Sequence, residues 1–322
     1  MRKGSLSAVV RREDQAKALH NLGVNAIIVK DQDDSEELKR VASKHDVVVH
    51  TASGFHPPSA EALIAGLAVR KQKTGKEVHF IHVSIRLVAS LIHNQSLNGN
   101  IQTAGTSNLS DMPITGAYKE TRVFSDKDNI YQYEKYRQNI GAYPGRSTDI
   151  AVIESGLKAN VKTYILMLPT IYGQGTGLFN KFSIQIPMMM RSAIKDRQAS
   201  VIGKGAESWD HVHVTDVVLL FETILRKVMT GEKIPSGEQG IYFGETGNHT
   251  WMELSEAIGK VGFDLGVLSS PTPKEIMLEE AAQRWFPNVL LAELGFASRF
   301  EPIFDMMIGS MLIGLDPVLV LT

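Results

Sequence analysis

The stretch Leu6-Ser-Ala-Val-Val-Arg-Arg12 is a short apolar strand that closes in a pair of arginines. Outward from it, the chain alternates between helical and strand patterns. A helix is predicted over residues 14–22 and a second strand over residues 25–29. The next helix, over residues 35–43, carries acidic side chains in its first turn, which suits the positive end of the helix dipole.

The same alternation continues further along the chain. Further apolar strands are predicted over residues 46–50, 78–82 and 164–168, and further helices over residues 59–71, 183–195, 215–228 and 251–261. Continuous apolar strands between amphipathic helices are typical of a parallel sheet that is covered on both faces. The sequence therefore predicts an α/β protein with a doubly wound parallel sheet.

Composition excludes several classes of function. The 322 residues include 34 basic and 35 acidic side chains, so neither a nucleic acid nor an anionic membrane is expected as a partner. The absence of cysteine excludes disulfides, thiol catalysis and cysteine metal sites. Only a short apolar strand that ends in two arginines follows the first five residues, and it is too short for the apolar region of a secretory signal, so no such signal is predicted and a cytoplasmic location is expected.

Six short motifs follow one another in a recognisable order. They are Ser7-Ala-Val-Val-Arg11, Asp46-Val-Val-Val-His-Thr-Ala52, Thr103-Ala-Gly-Thr-Ser107, Tyr131-Gln-Tyr-Glu-Lys135, Leu168-Pro-Thr-Ile-Tyr-Gly173 and Trp209-Asp-His-Val-His-Val-Thr-Asp216. In this order the chain resembles an extended or atypical short-chain dehydrogenase/reductase of the NAD-dependent epimerase/dehydratase family, and a fungal branch in particular. The resemblance covers residues 6–260 and depends on the series, because each motif alone is weak.

The resemblance implies a Rossmann-like sheet that lacks its first strand. The first unit of such a fold carries a Gly-x-x-Gly-x-x-Gly turn that holds a pyrophosphate on a helix N-terminus, and only residues 1–5 stand in its place. We therefore expect NAD(P) to bind weakly or not at all. The expected organisation is an incomplete NAD(P)-binding domain over residues 1–172, a smaller substrate lobe over 173–299 and a divergent apolar tail over 300–322.

On the adenosine side of the cofactor, the resemblance implies roles for Arg11, Arg12 and Asp31. Arg11 ends the strand that corresponds to the second one of the complete family fold, where a guanidinium can bind a 2′-phosphate, so it slightly favours NADP over NAD. The alternative is that Arg11 and Arg12 are solvated charges at a strand end. Asp31 resembles the family's acidic residue beside the adenine ring, and the alternative is a residue next to a helix cap.

On the nicotinamide side, the resemblance implies contacts from the ends of two strands. Thr51 and Ala52 follow the strand over residues 46–50, which corresponds to the fourth strand of the complete family fold, where small residues let a cofactor approach the backbone. Pro169 and Thr170 follow the strand over residues 164–168, which corresponds to the sixth strand of the complete family fold, where the family's equivalent loop packs on the nicotinamide. A plain strand terminator would also explain a proline at that position.

The family's chemistry is hydride transfer assisted by a tyrosine. A free tyrosine has a pKa near 10, so a lysine four residues later on the same helix is needed to make it a base. Tyr131 and Lys135 have that spacing, and Thr106 lies 25 residues before Tyr131 as the hydroxyl that holds the substrate oxygen. Ser107 is the alternative hydroxyl. Tyr143 is the alternative base, although no lysine follows it at the required offset.

These residues lead to a prediction of function with two alternatives. An NAD(P)-dependent oxidoreductase or epimerase-like enzyme, impaired as written, would act on a carbonyl or hydroxyl of a small-molecule substrate. A homodimer is left open, and His211 and His213 are expected to be structural, with no metal bound. The alternatives are a non-catalytic dinucleotide-binding or scaffold protein, favoured if Tyr131 lies out of reach of Thr106, and an inactive product of a truncated gene.

Two segments depart from the family pattern. Residues 83–102 split one strand-and-loop unit, and codons for Val83-Ser84 and Gln102 can contain splice-donor and splice-acceptor sequences. We therefore predict a translated intron there, with a genuine surface insertion as the alternative. Residues 300–322 are apolar where relatives would have a basic helix, and a misread exon end or a change of reading frame is a simpler explanation of that tail than a membrane anchor.

Overall fold

The computed structural model describes residues 6–29, 31–52, 54–83, 105–112, 114–179 and 181–285. The predicted insertion, apart from Val83, and the apolar tail lie outside these residues. No described helix is long and apolar enough to cross a membrane.

Strands and helices alternate along most of the described chain. In order they are β1 (Ser7–Val10), α1 (Glu13–His20), β2 (Asn25–Ile28), α2 (Ser35–Ala42), β3 (Val47–His50), α3 (Pro57–Thr74), β4 (His79–Val83), a 3₁₀ helix (Gly105–Asn108), α4 (Ile130–Ile140), α5 (Pro144–Ala159), β5 (Lys162–Met167), β6 (Thr170–Tyr172), α6 (Gln185–Asp196), β7 (Ser200–Ile202), β8 (Ser208–His213), α7 (Val214–Thr230), β9 (Ile241–Phe243), β10 (Gly247–Thr250), α8 (Trp251–Asp264), β11 (Lys274–Ile276) and α9 (Leu278–Trp285). A second 3₁₀ helix, Gly237–Gln239, precedes β9.

Six parallel strands form two separate sheets. The larger sheet has the order β3-β4-β5-β9, and the smaller one consists of β1 and β2. In a doubly wound sheet the first strand lies between the strands that correspond here to β1 and β3. Among the described residues no ladder joins β1 to β3, so the two sheets are the two halves of that arrangement. The predicted α/β fold is confirmed.

The larger sheet is buried on both faces, as its unbroken apolar strands predicted. Val48 and Phe80 are register partners and pack on one face, beneath α3 and α5. Val49 and Ile81 point to the other face, which α7 covers. Helices on both faces of a parallel sheet leave only its strand ends open, so a binding site is expected at the carboxyl ends of the strands.

Local sequence explains where the predicted helices begin. The side chain of Asp34 accepts a hydrogen bond from the Glu37 amide at the start of α2, where Glu36 and Glu37 form the expected acidic first turn. Thr250 and Glu253 form a capping box at the start of α8. Both helices begin where the sequence pattern predicted.

Of the strands after β5, β9 joins the larger sheet and the other five form two small sheets. One has the order β10-β8-β6, and in the other β7 pairs with β11. Trp209 and Trp251 are each 2% exposed and lie in the core between these strands and α6, α8 and α9. The boundaries predicted for the substrate lobe stay a prediction.

Candidate functional site

The carboxyl edge of the larger sheet brings together three segments that the motifs singled out. Residues 51–52 follow β3, residues 169–170 follow β5, and the 3₁₀ helix lies against the end of β5. The Thr106 amide donates a hydrogen bond to the Leu168 carbonyl, with 3.2 Å between nitrogen and oxygen. Thr170 is buried, and its hydroxyl bonds the Gln185 side chain at 3.2 Å. The cofactor contacts predicted for these residues remain predictions.

Two buried hydroxyl groups meet beside this edge. The Ser107 Oγ and the Tyr143 hydroxyl lie 2.9 Å apart, and the two residues are 1% and 4% exposed. Helix α4 ends at Ile140 and α5 begins at Pro144. Tyr143 therefore occupies the N-cap position of α5. The Phe55 ring packs edge-on against the Tyr143 ring, with 5.5 Å between centroids. The structure thus brings together Ser107, the alternative hydroxyl in the sequence analysis, and Tyr143, the alternative base.

The charge next to this tyrosine comes from an arginine. Position 147, four residues after Tyr143, is a serine whose hydroxyl accepts a hydrogen bond from Gln138. Arg146 instead places its Cζ 5.2 Å from the Tyr143 ring centroid and donates to the Asn108 carbonyl at 2.8 Å. Burial lowers the pKa of Arg146 to about 10, so the guanidinium still carries its charge at neutral pH.

The structure does not join Tyr131 to Thr106 by a hydrogen bond. Lys135 Nζ lies 3.3 Å from the Tyr131 hydroxyl, as their spacing predicted, but Glu154 accepts from both at 2.9 and 3.0 Å. Burial and the hydrogen bond to Glu154 raise the pKa of Tyr131, so less of its phenolate is present at neutral pH. Thr106 Oγ1 is buried and has no hydrogen-bond partner among the described residues. The roles predicted for Tyr131, Lys135 and Thr106 remain predictions.

The three candidates for the adenosine side lie on the surface. Arg11 is exposed at the end of β1, and Arg12 binds Asp14 in an exposed ion pair at 2.9 Å. Asp31 is exposed, and its carboxylate accepts from the Asp33 amide in the turn before α2. This contact agrees with the alternative interpretation, in which Asp31 is a residue next to a helix cap.

The two histidines of β8 make ordinary structural contacts. His211 Nδ1 lies 3.0 Å from His249 Nδ1 across the strand pair, and His213 Nδ1 accepts from the Thr215 amide at the start of α7. The described residues contain no group of three or more histidine, aspartate or glutamate side chains arranged to hold a metal ion.

Sequence reasoning missed a buried polar cluster directly beneath the hydroxyl pair. The Asn108 side chain donates from Nδ2 to Glu134 at 2.9 Å and to Asp149 at 2.7 Å, and both carboxyl groups are fully buried. His82 Nε2 lies 3.5 Å from the other oxygen of Asp149. The available signal was a pair of acidic residues on helices that otherwise face a core, and a histidine inside an apolar strand.

Comparisons with known proteins agree with this fold. Residues 145–237 match the sequence profile of the NAD dependent epimerase/dehydratase family. The chain is 27% identical over 262 residues to a protein named oxidase ucsJ from Acremonium sp., an alignment that covers 78% of this chain and 68% of that protein. The resemblance expected from the six motifs is confirmed.

Solved structures show the same fold at low sequence identity. A dTDP-glucose 4,6-dehydratase from Streptomyces venezuelae, with NAD and TYD bound, superposes with a TM-score of 0.51 at 12% identity, over 91% of this chain and 87% of that one. The dTDP-glucose 4,6-dehydratase of Bacillus anthracis str. Ames, in complex with NAD, gives a TM-score of 0.50 at 13% identity, over 91% and 86%. At this level of identity the likeness concerns the fold alone.

Proposed function

We propose that this chain, which matches the NAD dependent epimerase/dehydratase family over residues 145–237, is an NAD-dependent oxidoreductase-like enzyme acting on a carbonyl or hydroxyl of a small metabolite. The observation that carries the proposal is the buried pair of hydroxyl groups, Ser107 and Tyr143, beside the carboxyl edge of the sheet. This edge is where parallel α/β proteins bind their ligands. A cytoplasmic location and a homodimer stay predictions.

Each member of the pair has a chemical role in this proposal. Ser107 donates a hydrogen bond to the substrate oxygen and orients it. Tyr143 gives its phenolic proton to that oxygen when a carbonyl is reduced, and removes it when a hydroxyl is oxidised. The buried charge of Arg146 near the Tyr143 ring favours the phenolate and takes the part that the family gives to a lysine.

The residues at the sheet edge fit the nicotinamide half of the cofactor. The buried Thr106 hydroxyl has no partner among the described residues, and a buried hydroxyl of this kind calls for a polar ligand. Thr51, Ala52, Pro169 and Thr170 would flank that half, and NAD when bound supplies or accepts the hydride. Because Arg12 is paired with Asp14, a preference for NADP would rest on Arg11.

The pyrophosphate half is supported less well. The sequence contains no Gly-x-x-Gly-x-x-Gly turn, whose exposed amides would bind phosphate oxygens. We therefore propose that the polypeptide as given binds the dinucleotide weakly, and that its activity is correspondingly low.

Two measurements test the proposal. Cofactor fluorescence during titration with NADH and with NADPH reports binding, and the loss of NADH absorbance with a panel of small aldehydes and ketones reports turnover. Turnover that disappears in Tyr143→Phe and persists in Tyr131→Phe is the expected result. Turnover unchanged in Tyr143→Phe would contradict the proposed roles.

A second candidate is a dinucleotide-binding protein without catalysis. It is favoured by one observation, the engagement of the Tyr131 hydroxyl by Glu154 rather than by Thr106. The same experiments separate the two candidates. Binding of NADH or NADPH without turnover of any carbonyl compound supports the second, whereas turnover that depends on Tyr143 excludes it.

A further inference from the structure

The polar cluster beneath the hydroxyl pair has an unusual charge balance. Glu134 on α4 and Asp149 on α5, here termed the carboxyl pair, are both 0% exposed. Both accept a hydrogen bond from the one Asn108 nitrogen. The two N–H groups of this amide are therefore both used, which fixes the orientation of the Asn108 side chain. Two ionised carboxylates held this close in the interior would repel each other strongly.

The two arginines that face the carboxyl pair are both bound to backbone carbonyls. The charged or titratable groups that face the cluster are Arg137 and Tyr133 from α4, Arg146 from α5, Tyr143 at its cap, His82 from β4 and His50 from β3. Arg137 directs its guanidinium to the Leu109 and Ser110 carbonyls. Arg146 likewise donates to the Asn108 and Gly141 carbonyls. Two carboxylates that accept from one amide nitrogen in the interior repel each other strongly unless one of them holds a proton.

The histidines indicate which carboxyl group keeps the negative charge. His50 Nδ1 and His82 Nδ1 lie 2.9 Å apart, so one must donate and the other must accept. If His82 accepts at Nδ1, its proton is on Nε2, which lies 3.5 Å from an Asp149 oxygen. In that tautomer the protonated ring nitrogen of His82 lies near Asp149 without a hydrogen bond between them, and Asn108 donates to the same carboxyl group. Glu134 Oε2 has no donor among the described residues, so it is the oxygen that a proton suits best.

The geometry points to a carboxyl pair that holds a single proton at neutral pH, on Glu134, and that positions Ser107 through Asn108. The second part rests on the proposed function, whereas the first does not. Asn108 follows Ser107 in the same 3₁₀ helix, so a side chain anchored on both carboxyl groups also fixes the backbone that carries the serine. Loss of the shared proton would make the two carboxylates repel each other and disturb that anchor.

The electrostatic environment of the buried groups is consistent with this arrangement. Burial and the neighbouring Asp149 raise the pKa of Glu134 well above its ordinary value. Burial lowers the pKa of His50 to about 4 and that of His82 well below its ordinary value, so both rings are neutral at pH 7. Neutral histidines add no positive charge that would stabilise a second carboxylate.

Infrared spectroscopy tests the shared proton without any need for turnover. The wild-type protein at pH 7.5 should show the C=O stretch of a protonated carboxyl group, shifted in D₂O, at a pH where ordinary carboxyl groups are ionised. We expect Glu134→Gln to lose this band. The matched variant Glu154→Gln removes an exposed glutamate from α5 and should keep it. Absence of the band from the wild type overturns the proposal, and this result does not depend on whether Glu134→Gln folds. A band that persists in folded Glu134→Gln overturns it as well.

The pH dependence of turnover tests the positioning role. In the wild type, kcat should fall at alkaline pH by about tenfold for each pH unit beyond the apparent pKa of the pair, with KM little changed. Glu134→Gln cannot lose this proton, so only the ionisation of Tyr143, the proposed acid, should still limit kcat at alkaline pH, which a merely structural role of Glu134 would not predict. An identical limb in both proteins overturns the positioning role. If the wild type turns over no carbonyl compound, the proposed function fails while the infrared result still stands.

Discussion

The hydroxyl oxygens of Ser107 and Tyr143 lie 2.9 Å apart, although 36 residues separate them in the chain. The 3₁₀ helix after β4 supplies the serine, and the cap of α5 supplies the tyrosine. The Asn108 carbonyl, bound by Arg146, holds these two elements together from below. The first three predictions below follow from this contact and from the cluster under it, and the fourth concerns a histidine bonded to that cluster.

Removing either hydroxyl should abolish most of the activity and leave the fold intact. A positioned acid or base contributes about 10²- to 10⁴-fold to a rate, so Tyr143→Phe and Ser107→Ala should lower kcat within that range. Steady-state kinetics with NADH, together with circular dichroism, makes the test. Tyr131→Phe serves as the matched control and should keep its kcat, and the opposite pattern would restore Tyr131 as the base.

A methyl group on Gly145 should destabilise the protein and disturb the hydroxyl pair. A Cβ there would lie 2.3 Å from Asn108 Oδ1 and 3.0 Å from both the Phe55 and Tyr143 rings. Such overpacking costs about 1–3 kcal/mol of the free energy of unfolding, measured by urea denaturation. Gly141→Ala is the control, because a Cβ at that position has nothing within 4 Å and its φ of −159° suits any residue.

The raised pKa of Glu134 should make the protein less stable as pH rises. The folded protein holds this proton while the unfolded chain releases it above the ordinary pKa of glutamate, so stability falls through the window between the two values. The contribution of this group is at most about 1.4 kcal/mol per pH unit. Urea denaturation between pH 5 and 8 should show Glu134→Gln gaining stability relative to the wild type as pH rises. A constant difference would contradict the raised pKa.

Acid should destabilise the protein through His50, whose folded pKa is depressed. Burial lowers that pKa from 6.5 to about 4. Between these two pH values the unfolded chain therefore binds a proton that the folded protein does not bind. This stabilising contribution is complete above pH 6.5 and is lost as the pH falls towards 4. His50→Phe keeps a ring in contact with Phe80 and should show a shallower loss of stability over this range in urea denaturation. An equal slope in both proteins would show that His50 is not responsible.

Local rules accounted for much of the fold because they act within a few residues. The acidic first turn and cap of α2, the capping box of α8 and the apolar run Val47–His50 of β3 all appear in the structure as expected. Helical spacing also brought Lys135 beside Tyr131. What spacing could not provide was the partner on the other side, since Glu154 belongs to a different helix.

The sequence by itself determined the alternation of strands and helices, the parallel sheet and the family resemblance, because periodicity and short motifs are properties of neighbouring residues. Only the tertiary structure decided that Ser107 meets Tyr143, and that Asn108 gathers Glu134 and Asp149 beneath them. Asn108, in the 3₁₀ helix, precedes Glu134 by 26 residues and Asp149 by 41 residues in the sequence. The direction in which each helix faces is set by packing on the sheet, and no pattern within a single segment contains that information.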